Sequence, residues 1–137
     1  MKNILILCTG NSCRSQIAHG YFNMIFEGKV NIYSAGIETH GLNENAVKSM
    51  ARDAVDISSY TSNNVLEYNN INFDYIITVC DHANENCPYF PSEGSKRVHK
   101  NFVDTSKIKD SKNVEKDFDK CRDEIKAFSK EFKKMFF

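Results

Sequence analysis

The stretch ILILCTGNSCRS, residues 4–15, decides how the chain folds. Ile4 to Leu7 form a continuous apolar run, the pattern of a strand buried on both faces rather than on one. Cys8 ends that run, and six small or polar residues separate it from the helix-forming residues beyond. From Ser15 to about Phe26, Ile17, Tyr21, Met24 and Ile25 recur at helical spacing, so the stretch reads as strand, loop, helix. A loop of this kind turns its backbone N–H groups toward a common centre, and the positive end of the following helix adds to them. Thr9, Gly10, Asn11, Ser12 and Cys13 leave room for the backbone to curl around an anion, and Arg14 adds a planar fork of donors suited to a tetrahedral oxyanion. The same field favours a thiolate at Cys8, and Ser15 is placed to donate to it. The result is an anion cradle built against a nucleophile.

Outward from this stretch, the pattern alternates. Val30 to Tyr33 predicts a second strand. Asn43 predicts a helix N-cap, with Leu42 and Val47 spaced as a hydrophobic staple and Val47, Met50, Ala51 and Ala54 continuing the apolar face. A further helix is expected from Thr61 to about Tyr68, a third strand from Phe73 to Val79, and a short fourth strand from Arg97 to His99. Val114, Phe118, Cys121, Ile125, Phe128, Phe132 and Met135 follow a 4-3 spacing and predict one long amphipathic helix. Docking on a sheet is preferred to a coiled coil, for which three heptads are the bare minimum. Strand–helix alternation over 137 residues predicts one α/β domain, residues 1–137, with a four-stranded parallel sheet between two helical layers. Ligands of such sheets bind at the carboxyl ends of the strands, where Cys8 stands.

Composition narrows the function. Lys+Arg and Asp+Glu number 18 each, so no net field selects nucleic acid or an anionic membrane. No apolar run approaches the ~20 residues of a membrane span, and the four residues after MKN fall short of the ~7–15 of a signal peptide. A cytoplasmic protein is expected, in a compartment that keeps its five cysteines reduced.

The spacing Cys-x5-Arg-Ser resembles that of the low molecular weight protein tyrosine phosphatases. CTGNSCRSQIAHG (residues 8–20), YSAGIETHG (33–41), DISSYTS (56–62), VCDHANENCP (79–88) and RDEIK (122–126) narrow the resemblance to the thioredoxin-coupled arsenate reductases within that superfamily, over nearly the whole chain. The resemblance implies the phosphatase-like fold, arsenate as substrate and thioredoxin as reductant. It also implies an order of events. Cys8 attacks arsenate, Cys80 attacks Cys8 to give a Cys8–Cys80 disulfide with release of arsenite, and Cys87 attacks Cys80 to give a Cys80–Cys87 disulfide that thioredoxin reduces. Neither a cofactor nor a metal is implied, and a monomer is expected.

Cys80 and Cys87 also carry a reading of their own. Cys80 closes the third strand, and the polar segment DHANEN between the two thiols is expected to be a mobile loop that can carry a sulfur to its partner. Two unrelated thiols and a zinc site are the rivals, but the six-residue gap departs from the ~2–4 residues of zinc motifs. The resemblance places a general acid on Asp104, in HKNFVDTS (99–106), where the family's following proline is Thr105; its loss predicts a looser turn around Asp104 or a slower first step. His19 and Asn63 stand where some members carry acidic ligands for potassium beside Asn11 and Ser34, so a bound potassium ion is not expected. Cys121 is expected in the core, and His40 and His99 have no assigned role. A phosphotyrosine phosphatase would share Cys8, Arg14 and Asp104 without needing Cys80 or Cys87. A non-catalytic redox sensor would share the loop and the thiol, but no effector segment accompanies the domain.

Overall fold

The computed structural model describes residues 1–86, 94–105 and 113–137. Four parallel strands, β1 (Asn3–Cys8), β2 (Asn31–Gly36), β3 (Tyr75–Thr78) and β4 (Lys96–His99), lie in the order β2-β1-β3-β4. Ile4, Leu5, Ile6 and Leu7 are all fully buried, as an apolar run without alternation requires. The chain leaves β1 toward β2 and leaves β3 toward β4 in the opposite direction. Right-handed crossovers therefore put α1 (Arg14–Phe26) and α3 (Asp81–Asn86) on opposite faces of the sheet. The reversal of direction falls between β1 and β3, where a parallel sheet opens a crevice at its carboxyl edge. Leu7 pairs with Thr78, so Cys8 lies level with Val79 and Cys80 is one residue further on the neighbouring strand.

The predicted elements are present with shifted limits. β2 runs to Gly36, past the expected end at Tyr33. α2 (Glu44–Arg52) starts at the expected cap, where the Asn43 side chain accepts from the N–H groups of Asn45 and Ala46. The helix expected at 61–68 is a single 3-10 turn, Val65–Tyr68, closed by a reciprocal Asn64–Glu67 capping box. DHANEN, expected as a mobile loop, is the helix α3. The Ala83 N–H donates to the Cys80 sulfur, and the Asp81 carboxylate binds His99, so local contacts hold a helix where polarity alone suggested a loop.

The long helix α4 (Val114–Phe136) docks against α1 and α2. Phe118, Cys121, Ile125 and Phe132 are buried along its predicted stripe, whereas Met135 is exposed. A straight helix drifts ~20° per heptad against a 3.5 repeat, which carries the last stripe position outward. Phe132 packs on Phe22 and Tyr75, and Asp119 receives Ser49 and Arg52 from α2. These contacts close the helical layer over β1 and leave its carboxyl end as the accessible edge.

Candidate active site

The loop from Cys8 to Arg14 is held by its carbonyls. Cys8 O accepts from the Ile37 N–H, Thr9 O from Glu38, Gly10 O from His40 and the Ser62 hydroxyl, Ser12 O from Asn43, and Cys13 O from Ile17. Asn11 O accepts from the Gln16 side-chain amide. With six consecutive carbonyls engaged by donors around the loop, its N–H edge is what remains to line the concavity, as an oxyanion requires. Asn11 adopts a left-handed conformation (φ 48°), which Asn tolerates better than most residues.

A directed chain of donors runs through this loop to the nucleophile. The Asn63 N–H donates to Asn11 Oδ1 (2.8 Å), and Asn11 Nδ2 donates to Ser15 Oγ (2.7 Å). The Ser15 hydroxyl proton is thereby left for the Cys8 sulfur, which also receives the Ser15 N–H. Cys8 is buried, yet its thiol is held well below the usual range. The largest cause is the hydrogen bond from the Cys80 thiol; the Ser15 contacts and the Arg14 charge add to it, and burial opposes them. Cys8 is the thiolate of the pair, because Ser15 and Arg14 both attend it.

Cys80 is raised correspondingly, first by holding the proton it gives to Cys8 and then by burial. Thr9 Oγ1, at 3.2 Å, and the Ala83 N–H, at 3.4 Å, act in the other direction. The imidazole of His99 bridges the end of β3 to the start of α3, with Nδ1 2.7 Å from Thr78 Oγ1 and Nε2 2.8 Å from Asp81 Oδ1. Cys87 lies outside the described residues.

Arg14 spans from the loop to the segment after β4. Its Nη1 donates to Phe102 O (3.0 Å), and its Nη2 lies 3.5 Å from Asp104 Oδ2. The carboxyl is part-exposed, so the pair contributes orientation more than stability. Thr105, which stands in place of the proline of the resemblance, is buried, and its hydroxyl lies 3.3 Å from Cys13 Sγ. Burial pushes the Cys13 thiol up to about 12 and that of Cys121 to about 11, so the protonated form is favoured at both.

The residues at the potassium positions of the resemblance do not fit a cation. His19 Nδ1 lies 2.7 Å from Ser34 Oγ, burial lowers the imidazole to about 4, and it is neutral at pH 7. Asn11 Oδ1 already accepts from the Asn63 N–H, and an amide and an imidazole supply no negative charge. Among the described residues, no group of three or more His, Cys, Asp or Glu is arranged to hold a metal.

Cys8, Thr9, Arg14, Ser15, Cys80 and Asp104 thus converge on one crevice. Sequence reasoning gave no part to Gly36, His99 or the Phe102 carbonyl, and treated Thr105 only as a loss. A side chain at Gly36 would press on Glu38 O and come within 2.8 Å of Thr9 O and Asn11 N, so the loop needs glycine there. The one signal was its place within YSAGIETHG (33–41).

Residues 3–136 match the family described as low molecular weight phosphotyrosine protein phosphatase. Arsenate reductase 1 of Staphylococcus epidermidis is 44% identical over 126 residues, covering 92% of this chain and 91% of the relative. An arsenate reductase solved in its oxidized state superposes with a TM-score of 0.78 at 24% identity, covering 96% of this chain and 95% of that one. The low molecular weight protein tyrosine phosphatase from T. tengcongensis superposes with a TM-score of 0.82 at 18% identity, covering 99% and 100%.

Proposed function

This chain belongs to the low molecular weight phosphotyrosine protein phosphatase family, and within that family we propose that it acts as an arsenate reductase, converting arsenate to arsenite through a relay of thiols. The observation that carries the reading is the second sulfur. Cys80 follows the strand that pairs with β1; its sulfur lies 3.2 Å from Thr9 Oγ1 of the loop and is the first cause of the lowered Cys8 thiol, a neighbour that hydrolysis of a phosphate ester does not need.

In the first step the Cys8 thiolate attacks arsenate held by the loop and Arg14. A sulfur–arsenic bond forms and an arsenic–oxygen bond breaks, the oxygen leaving as water with a proton from Asp104. Arsenic is still pentavalent. The Cys80 thiolate then attacks Cys8 sulfur; the sulfur–sulfur bond forms, and the pair of electrons from the sulfur–arsenic bond stays on arsenic, giving arsenite. Cys87 attacks Cys80, which frees Cys8 as the thiolate and leaves a Cys80–Cys87 disulfide. The dithiol of thioredoxin reduces that disulfide, so both electrons pass through sulfur.

One chain supplies all three thiols, so a monomer of one domain, residues 1–137, is sufficient. The relay needs reduced cysteines at rest, which suits the cytoplasm. No described helix is long and apolar enough to cross a membrane. The loop, Cys8, Arg14 and Asp104 also suit slow hydrolysis of aryl phosphates as a side reaction.

The test is arsenate-dependent NADPH oxidation with thioredoxin and thioredoxin reductase. Sustained turnover is expected from the native chain, and a single equivalent of arsenite from Cys87→Ser. Steady turnover by Cys87→Ser would contradict the relay, and aryl phosphate hydrolysis without arsenate-dependent oxidation would favour the phosphatase.

A further inference from the structure

Asp104 is flanked by two residues that other parts of the molecule hold. On one side, Val103 O accepts from the Cys121 thiol of α4 at 3.8 Å, and Phe102 O accepts from Arg14 at 3.0 Å. On the other, the Thr105 side chain is buried, with its hydroxyl 3.3 Å from Cys13 Sγ. A hydroxyl removed from water needs a partner, and here it is a buried thiol of the loop.

Two contacts meet at the turn: Cys13 Sγ and Thr105 Oγ1 lie 3.3 Å apart, and Cys121 S–H donates to Val103 O. The first joins the residue before Arg14 to the residue after Asp104, and the second joins α4 to the residue before it. Together they tie the acid's turn to the loop that holds the anion and to α4. Arg14 Nη2 lies 3.5 Å from Asp104 Oδ2 in a part-exposed pair, which orients the carboxyl more than it stabilises the fold.

We propose that Thr105 is a positioning residue for Asp104. Its hydrogen bond with Cys13 holds the turn at the mouth of the pocket by a side-chain contact, where a proline would stiffen it through its ring. The inference rests on the reading of Asp104 as the acid that protonates the departing oxygen.

The experiment compares Thr105→Val, which keeps the shape and removes the hydroxyl, with Thr105→Ser, which restores it. With arsenate as substrate, kcat of Thr105→Val is expected to fall about tenfold, the loss of one hydrogen bond's worth of orientation, with KM within about twofold. Thr105→Ser is expected to stay within about twofold of the native chain on both. In carbon NMR of the full chain labelled at aspartate carboxyls, the Asp104 line is expected to shift or broaden in Thr105→Val and to return to its native position in Thr105→Ser. Cys13→Ala, which removes the partner instead of the hydroxyl, is expected to reproduce the Thr105→Val line and serves if that variant does not fold. An unmoved Asp104 line in Thr105→Val or Cys13→Ala overturns the proposal. So does an unchanged kcat, or an equal loss in Thr105→Ser. If the native chain has no arsenate turnover, the functional reading fails, while the Asp104 line still decides whether Thr105 places the carboxyl.

Discussion

Thr9 Oγ1 lies 3.2 Å from Cys80 Sγ, so the loop that receives the oxyanion also touches the second thiol. The hydroxyl favours the thiolate of Cys80, the form that the proposed relay requires for attack on Cys8. Thr9→Val removes one hydrogen bond to that thiolate. Formation of the Cys8–Cys80 disulfide is expected to slow about tenfold, with phosphate affinity little changed. Single-turnover mass spectrometry, which counts joined sulfurs against time, checks it.

Gly36 governs the same loop from β2. Gly36→Ala sets a methyl against backbone atoms of Thr9, Asn11 and Glu38 that cannot yield without reshaping the cradle. A loss of about 1–3 kcal/mol in stability is expected, with at least a tenfold loss of sulfate or phosphate affinity. Gly10→Ala meets only the exposed ring of His40, which can swing aside, and is expected to be milder. Denaturant melts with and without sulfate separate the two.

His19 makes the fold acid-sensitive. Its imidazole is lowered by burial to about 4 in the folded chain, against about 6.5 when unfolded. The unfolded state binds the proton first, so the stability is present in full above pH 6.5 and is lost as pH falls toward 4. The slope in that window is at most about 1.4 kcal/mol per pH unit. His19→Gln, which can still bond Ser34, is expected to flatten it, measured as urea midpoints at pH 7, 6 and 5.

His99 fastens α3 to the sheet through Thr78 and Asp81. The helix rises ~9 Å between residues 80 and 86, whereas disulfide-bonded Cα atoms lie ~4.4–6.8 Å apart. Under the proposed relay the Cys80–Cys87 bond closes across α3, so loosening the helix is expected to ease it. His99→Ala is expected to speed amide exchange in residues 81–86 by about tenfold and to hasten Cys80–Cys87 formation. Unchanged exchange would show that the bridge does not hold the helix.

Much of the site was legible because its chemistry is local. Cys8, Arg14 and Ser15 lie within eight residues of one strand–loop–helix unit, and the apolar run before them marked a strand covered on both faces. Asn43 and the α4 stripe were equally plain, since caps and helical faces act over three or four positions. DHANEN misled because a polar segment carries no periodic signal, and its helix is held by the Cys80 sulfur and by His99.

From its own letters the chain determined a strand–loop–helix unit with Cys8 at the start of the loop, and a parallel sheet to carry it. Only the tertiary structure decided that β1 and β3 are neighbours, which brings Cys80 to Cys8. It alone decided that Gly36 must lack a side chain and that Thr105 reaches Cys13. The reason is physical: hydrogen bonds between residues 71 or 92 positions apart leave no spacing to read and exist only once burial has packed the sheet and α4 around the loop.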